Sequence, residues 1–269
     1  YSSAASDVYK RQNKDADLII KHADIRRSLM NMKSLIEGQR SLAFWVSQQI
    51  DVSLNHSDTT IKKNANDMVS MMTPLIKSFF TDIGMEITND AIQVFGGYGY
   101  TKDQGVEQLF RDNRITPIYE GTNSVQAIDL VFRKILNNNI YDNYIAQITK
   151  EIQEYEKNKE LVLFVQKFQK YVELINNFTS WLIEKNKNSK DDVSGACNDY
   201  LKVLGYLGLA HSWLKILKVS YDKYDTNKSF FEDKINTATY YFDKILPRAQ
   251  SHYLSAVTGS KSMMKANFN

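Results

Sequence analysis

Only three prolines and eleven glycines interrupt 269 residues, and this scarcity of chain breakers decides the fold class before any motif is read. Sandwiches, propellers and other turn-dense β folds need breakers at short intervals. Helices are what remain, so the expected class is all-α. A chain of this length, 43% apolar, buries one substantial core or two smaller ones without disulfide staples. Its one cysteine, Cys197, can neither close an intramolecular bridge nor complete a cysteine metal cluster, which suits a reducing compartment. A balance of +3 from 34 basic and 31 acidic side chains gives no support to nucleic acid or an anionic membrane as an obligatory partner. No apolar run of about 18 residues is present, so no membrane span is expected. His22, His56, His211 and His252 share no i,i+4 spacing, and no metal site is expected. Residues 1–12 have neither an apolar signal core nor a small-residue cleavage site and read as a non-native cloning or sequencing scar. With no initiator Met, the chain is expected to be a piece of a longer protein.

Periodicity places the helices. From His22 to Asp51 the apolar positions Ile25, Leu29, Met32, Ile36, Ala43, Val46 and Ile50 fall three and four apart, the stripe of one long amphipathic helix. Ser57, Asp58 and Thr59 can cap a second long helix running to about Val94, with Ala65, Met68, Met72, Ile76, Phe79, Ile83 and Ile87 on one face. Pro74 inside it predicts a kink or a division into two helices. Gly96 and Gly97 end it. A short helix over Val106–Arg111 leads to Pro117, and a tight IYEGTN connection leads to a helix over Ser124–Leu136. Val125, Ile128, Phe132 and Ile135 are its expected buried stripe, with Thr122 or Asn123 as cap. Asn137 to Asn139 read as a boundary. Beyond it, helical pattern occupies roughly 141–157, 159–186, 193–222 and 230–257, a second helical domain over 141–269 after a first over 13–140. Trp45, Trp181 and Trp213 are expected as core anchors, and Cys197 as a small buried side chain.

The segment AIQVFGGYGYTKDQGVEQLFRDNRITPIYEGTNSVQA, residues 91–127, holds two features that a purely structural stretch does not require. Glu120 stands alone between Tyr119 and Gly121 in a short loop directly before a helix start, and rigidly anchored loops of this kind often carry function. Gly96, Gly97 and Gly99 follow a helix, with Gln93 just before. Glycines allow close backbone approach, but this spacing is not GxGxxG and follows no strand, so the dinucleotide fingerprint is absent.

In this order and spacing, QVFGGYGY and RDNRITPIYEGTN resemble the signatures of the C-terminal helical domain of acyl-CoA dehydrogenases. The likeness extends through HADIRRSLMNMKSLIEGQRSLAFW, MMTPLIKSFFTD and QAIDLVFRKIL, and the second half is similar to the extra helical domain of a subgroup that includes the 3-methylmercaptopropionyl-CoA dehydrogenase type. The resemblance implies a four-helix bundle lacking its first helix, followed by the appended helical domain. It implies FAD-dependent α,β-dehydrogenation of an acyl-CoA thioester, with Glu120 as the base and Tyr119 and Gly121 beside the substrate. Gln93, Gly96 and Gly97 would approach the FAD of a neighbouring subunit, and Thr122 would contact its diphosphate region at the start of the last bundle helix. Where many relatives carry a further cofactor-touching Gln, this chain has Ser124. Arg111, Asp112 and Arg114 are expected to form a structural ion-pair and capping network. An electron-transfer flavoprotein as electron acceptor, homo-oligomerisation of the whole protein, and a bacterial cytoplasmic or mitochondrial matrix location are implied as well. The rivals are an acyl-CoA oxidase of the same fold and a non-catalytic helical interaction module. Without the flavin-cradling parts of the family, the chain alone is expected to be inactive.

Overall fold

A computed structural model describes residues 18–137 and 140–268, and every regular element among them is helical. Helix α1 (Ala23–Asn55) and α2 (Thr59–Phe95) form a long antiparallel hairpin. The Asp58 carboxylate caps α2 by accepting from the Thr60 and Ile61 amides at 2.7 and 3.1 Å. Then come α3 (Val106–Asn113) and α4 (Asn123–Ile128), the latter continuing into a wider π-helical stretch, Asp129–Ile135. The second half holds α5 (Ile140–Tyr155), α6 (Val162–Asn186), α7 (Lys190–Asp222), α8 (Lys228–Tyr240, running into a π-helical turn at Tyr241–Ile245) and α9 (Arg248–Ala256).

The central element is α7, buried without a break from Val203 to Leu214, as only a helix surrounded on all sides can be. Two glycines let its neighbours come close. A Cβ added at Gly205 would stand 2.4 Å from the Phe79 ring, and one at Gly38 would stand 2.9 Å from the Trp213 indole nitrogen. Trp213 also donates to the Ser34 carbonyl at 3.2 Å, and Tyr241 donates to the Tyr206 carbonyl at 2.7 Å. The buried side chains of both halves make one continuous apolar cluster around α7. Trp213 lies fully inside it, Trp45 and Trp181 pack on its margin, and Cys197 is buried with its thiol pushed up to about 12 by desolvation.

Several expectations need correction. The buried line of α1 is Asn31, Ser34, Leu35, Gly38, Leu42 and Val46, while Ile36 and Ile50 stay 40% and 42% exposed. Small and polar residues lie on this line because Ser34 and Gly38 admit Trp213 of α7 and Asn31 bonds Tyr240 of α8, which an apolar stripe does not register. In α4 the buried residues are Ala127, Leu130, Val131 and Ile135, with Val125 and Ile128 exposed. The wider turn, seen in the bond from the Leu136 amide to the Val131 carbonyl, rotates the face after Ile128. Pro74 does not divide α2, because Met71, Met72 and Leu75 on either side are buried and hold the turns. Pro247 does interrupt the stretch read as one helix over 230–257, separating α8 from α9. The scar expected at 1–12 lies outside the described residues, as do Asn138 and Asn139 of the expected boundary. No helix among the described residues is long and apolar enough to cross a membrane.

One polar cluster sits inside this core. His211 Nε2 lies 2.7 Å from Glu151 Oε2, with Lys215 at 3.4 Å from the same oxygen and the rings of Trp45, Tyr144 and Phe168 around the imidazole. Burial drives the His211 pKa down, so the imidazole is neutral and donates to the carboxylate. Burial pushes Glu151 up, but the His211 hydrogen bond and the Lys215 charge outweigh it and hold the carboxyl well below its ordinary range.

Two outcomes follow for stability. Gly205→Ala is expected to cost about 1–3 kcal/mol by driving a methyl into the Phe79 ring, read as a lowered urea midpoint. Both pKa values of the buried pair are depressed on folding, so their stabilisation is present above the unfolded values and lost in acid. The melting temperature should fall from about pH 6.5 downward as unfolded histidine takes up its proton, and more steeply below about pH 4.3 as unfolded carboxyls do. In Glu151→Gln the acid limb should be shallower than in the parent, and equal slopes would show that this pair does not carry it.

Candidate functional site

The Glu120 loop is built on α2. Beyond α3, the Thr116 hydroxyl donates to the Asn113 carbonyl at 2.7 Å, and the Ile118 and Tyr119 amides turn back to the Ile115 carbonyl. The Asn123 amide closes the loop on the Pro117 carbonyl at 3.1 Å. Between these clamps, Glu120 has φ +54°, the only positive value at a non-glycine among the described residues, and Gly121 follows at +82°. A left-handed conformation costs an L-residue roughly 1–2 kcal/mol, so it persists only where the surroundings impose it.

Three side chains impose it here. Gln126 donates to the Glu120 carbonyl at 2.8 Å, and Lys77 donates to the Gly121 carbonyl at 2.7 Å. Asn123 is the bolt: its amide nitrogen donates to the Ser78 carbonyl at 3.1 Å and the Asp82 carboxylate at 2.7 Å, and its oxygen accepts from Lys77 at 3.0 Å. Thr122 caps α4 through the Val125 amide at 3.4 Å. Ser124 is tied to α7, its hydroxyl accepting from Asn198 at 3.4 Å. The Glu120 side chain itself points into an open surface with Tyr119 beside it, half exposed under the Lys77 ammonium. Ile115, Ile118 and Val125, within and just after the loop, are each 45–56% exposed. The Glu120 N–H meets no acceptor among the described residues.

The glycine turn lies elsewhere. Gln93 is exposed on the last turn of α2, Gly96 ends the helix at φ +62°, and Gly97 opens a single helical turn, Gly97–Tyr100. A Cβ at Gly96 or Gly97 would touch nothing, so their backbone is bare, whereas Gly99 is structural: a Cβ there would lie 2.6 Å from the Ile92 carbonyl oxygen. Along α2, Gln93 is 11–16 residues beyond the Lys77–Asp82 platform, about 16–24 Å at 1.5 Å per residue. One chain therefore does not bring Gln93, Gly96 and Gly97 to Glu120, while Tyr119, Gly121 and Thr122 adjoin it. The Arg111 network is smaller than expected. Arg111 pairs with Glu107 at 2.6 Å, one turn back, Asp112 accepts only from Gln108, and Arg114 joins neither. Lys77, Gln126 and the bolting role of Asn123 escaped the sequence reading, which saw Asn123 only as a cap. The polar run Lys77, Ser78, Thr81, Asp82 on one side of an otherwise apolar helix was their signal. Among the described residues no three His, Cys, Asp or Glu side chains gather as a metal site.

Comparison with known proteins agrees with this architecture. Residues 2–136 match the family model "Acyl-CoA dehydrogenase, C-terminal domain", and residues 145–267 match "Acetyl-CoA dehydrogenase C-terminal like". The 3-methylmercaptopropionyl-CoA dehydrogenase of Ruegeria pomeroyi is 41% identical over 122 residues, covering 45% of this chain and 21% of that protein. A butyryl-CoA dehydrogenase of Syntrophomonas wolfei is 28% identical over 85% of this chain and 39% of its own length. An acyl-CoA dehydrogenase from Bacillus anthracis, crystallised with FAD, superposes with a TM-score of 0.71 at 16% identity over 97% of this chain and 47% of its own. Caenorhabditis elegans ACDH-11, in complex with C11-CoA, gives 0.74 at 16% identity over 98% of this chain and 44% of its own. The chain spans less than half the length of these relatives. It belongs to the acyl-CoA dehydrogenase family and corresponds to the C-terminal helical part of its members.

Proposed function

We propose that this chain is the catalytic-base portion of a flavin-dependent enzyme that desaturates an acyl-CoA thioester between its α and β carbons, with Glu120 as the base. The observation that carries the reading is the left-handed Glu120 backbone, held by Gln126, Lys77 and Asn123 on an open apolar surface. Strain that three side chains maintain is the mark of a group whose direction matters. The Glu120 carboxylate takes the α-proton, and its own N–H, which meets no acceptor among the described residues, donates to the thioester oxygen as negative charge develops there. Gly121 keeps side-chain bulk away from the thioester, and Tyr119 lines the acyl path. The residues present suit FAD at its adenosine and diphosphate end: Gln93 is exposed, Gly96 and Gly97 offer bare backbone, and Thr122 stands at a helix start that favours negative charge. Bound FAD supplies, at N5, the acceptor for the hydride that leaves the β-carbon.

The whole protein is read as a homo-oligomer in which Gln93, Gly96 and Gly97, about 16–24 Å along α2 from the residues that hold the Glu120 loop, approach the FAD of a neighbouring subunit. Electrons then pass to an electron-transfer flavoprotein. A carboxylate becomes an effective base for a weakly acidic C–H when it is desolvated, and here Glu120 is exposed. The 269-residue chain alone is accordingly expected to show no acyl-CoA oxidation with a dye acceptor, and stoichiometric FAD binding with turnover would contradict this.

In the longer protein that contains this chain, Glu120→Gln is expected to lower kcat by roughly 10²–10⁴-fold with acyl-CoA affinity retained. Turnover within a few-fold of the parent would remove Glu120 from the mechanism and favour a non-catalytic helical module. The same assay with oxygen as the only acceptor separates an oxidase from a dehydrogenase. Asn123→Ala touches no substrate in this reading but frees the loop, so kcat should fall well below the melting transition while KM changes little. A variant that lost only thermal stability would make Asn123 structural.

A further inference from the structure

The first turns of α1 and the α8–α9 junction enclose a cavity of about 580 Å³, remote from the Glu120 loop. Arg26, Arg27, Lys244 and Arg248 line it, with Asn31 and Tyr240 between them. Four cations brought to one cavity repel each other unless something compensates them. Arg248 is compensated by Glu86, donating to its carboxylate at 2.6 Å. Arg27 has the attraction of Asp90. Arg26 and Lys244 have no carboxylate partner among the described residues. Four cations against the carboxylates of Glu86 and Asp90 leave two positive charges facing the cavity.

The cavity wall is fixed in place. The Tyr240 hydroxyl lies 2.6 Å from Asn31 Oδ1 and 3.1 Å from the Arg27 carbonyl, which locks α8 to the start of α1. That start is also the N-terminal end of a 33-residue helix, with Asp24 in its first turn. Guanidinium groups bind phosphate oxygens as planar forks, and Arg26 and Arg27 of α1, across the cavity from Lys244 in the turn that ends α8 and Arg248 at the start of α9, can grip a phosphate from both sides. The volume exceeds that of an inorganic ion and lies in the range of small-molecule pockets, roughly 300–1,000 Å³.

We propose that this basic cavity binds an organic diphosphate of nucleotide size, its phosphates held by Arg26, Arg27, Lys244 and Arg248. The site stands on this geometry alone and does not depend on the assignment of Glu120. The diphosphate can belong to a free nucleotide or to the nucleotide half of a larger cofactor, and the chemistry of recognition is shared.

Calorimetric titration of the 269-residue chain with ADP, inorganic pyrophosphate, coenzyme A, FAD and adenosine tests it. ADP and pyrophosphate should bind, adenosine should not, and affinity should fall as salt rises. Arg26→Gln combined with Lys244→Gln removes only exposed cations that pair with no carboxylate, so the melting temperature should hold while the Kd for ADP rises at least tenfold. Coenzyme A or FAD binding ten times tighter than ADP, with the same sensitivity to the double variant, would assign the diphosphate to a cofactor, and equal affinities would assign it to a free nucleotide. Absence of ADP and pyrophosphate binding at millimolar concentration, binding indifferent to the double variant, or adenosine binding as well as ADP would overturn the proposal. Since the probes are unreactive binders, failure here leaves the Glu120 assignment untouched, and loss of turnover in Glu120→Gln leaves this one untouched.

Discussion

Everything in this fold is organised by the depth to which α7 is buried. A helix enclosed from Val203 to Leu214 needs neighbours on all sides at close range, and the chain supplies that range by placing Gly205 under the Phe79 ring and Gly38 under the Trp213 indole. Close packing of this kind leaves little room for adjustment. It also fixes the position of α2 relative to α7, through Phe79 against Gly205 and through the edge-to-face contact of Phe79 with Tyr206 at 5.0 Å. Because the Glu120 loop is bolted to α2 within a turn of Phe79, at Lys77, Ser78 and Asp82, the loop inherits its position from the core.

The same packing explains what was legible in the sequence. Helix existence and type followed from the lack of breakers and from spacing, and α2 showed its buried face correctly because that face is made of Met, Leu, Ile and Phe. The buried face of α1 was hidden because its contact residues are Asn31, Ser34 and Gly38, chosen for closeness and hydrogen bonding, while Ile36, Phe44 and Ile50 remain outside. In α4 a single π turn moved the face, and no periodicity based on 3.6 residues registers such a turn. The site was legible only where motif and local chemistry coincide. Glu120 and its neighbours Tyr119, Gly121 and Thr122 could be named as candidates from their order, but Lys77, which holds the Gly121 carbonyl, and the α2 groups that anchor Asn123 lie 41 to 46 residues away in sequence, a distance no local pattern bridges.

Helix α2 acts as a ruler along which the chemistry is laid out. Lys77, Ser78 and Asp82 hold the Glu120 loop, Glu86 and Asp90 lie beside the cations of the basic cavity, and Gln93 with the bare glycines stands at the end. At 1.5 Å per residue these stations are separated by about 4–24 Å, distances over which charges in water are partly screened but groups on one rigid helix cannot move independently. The continuity of α2 through Pro74 therefore sets where all of these groups lie. A bend at Pro74 would leave the stations in register with each other, since all lie beyond it, yet would swing them together against α7. Burial of Met71, Met72 and Leu75 on either side of the proline is what prevents that rotation, so the apolar core near the middle of α2 sets the aim of a carboxylate that lies on the surface.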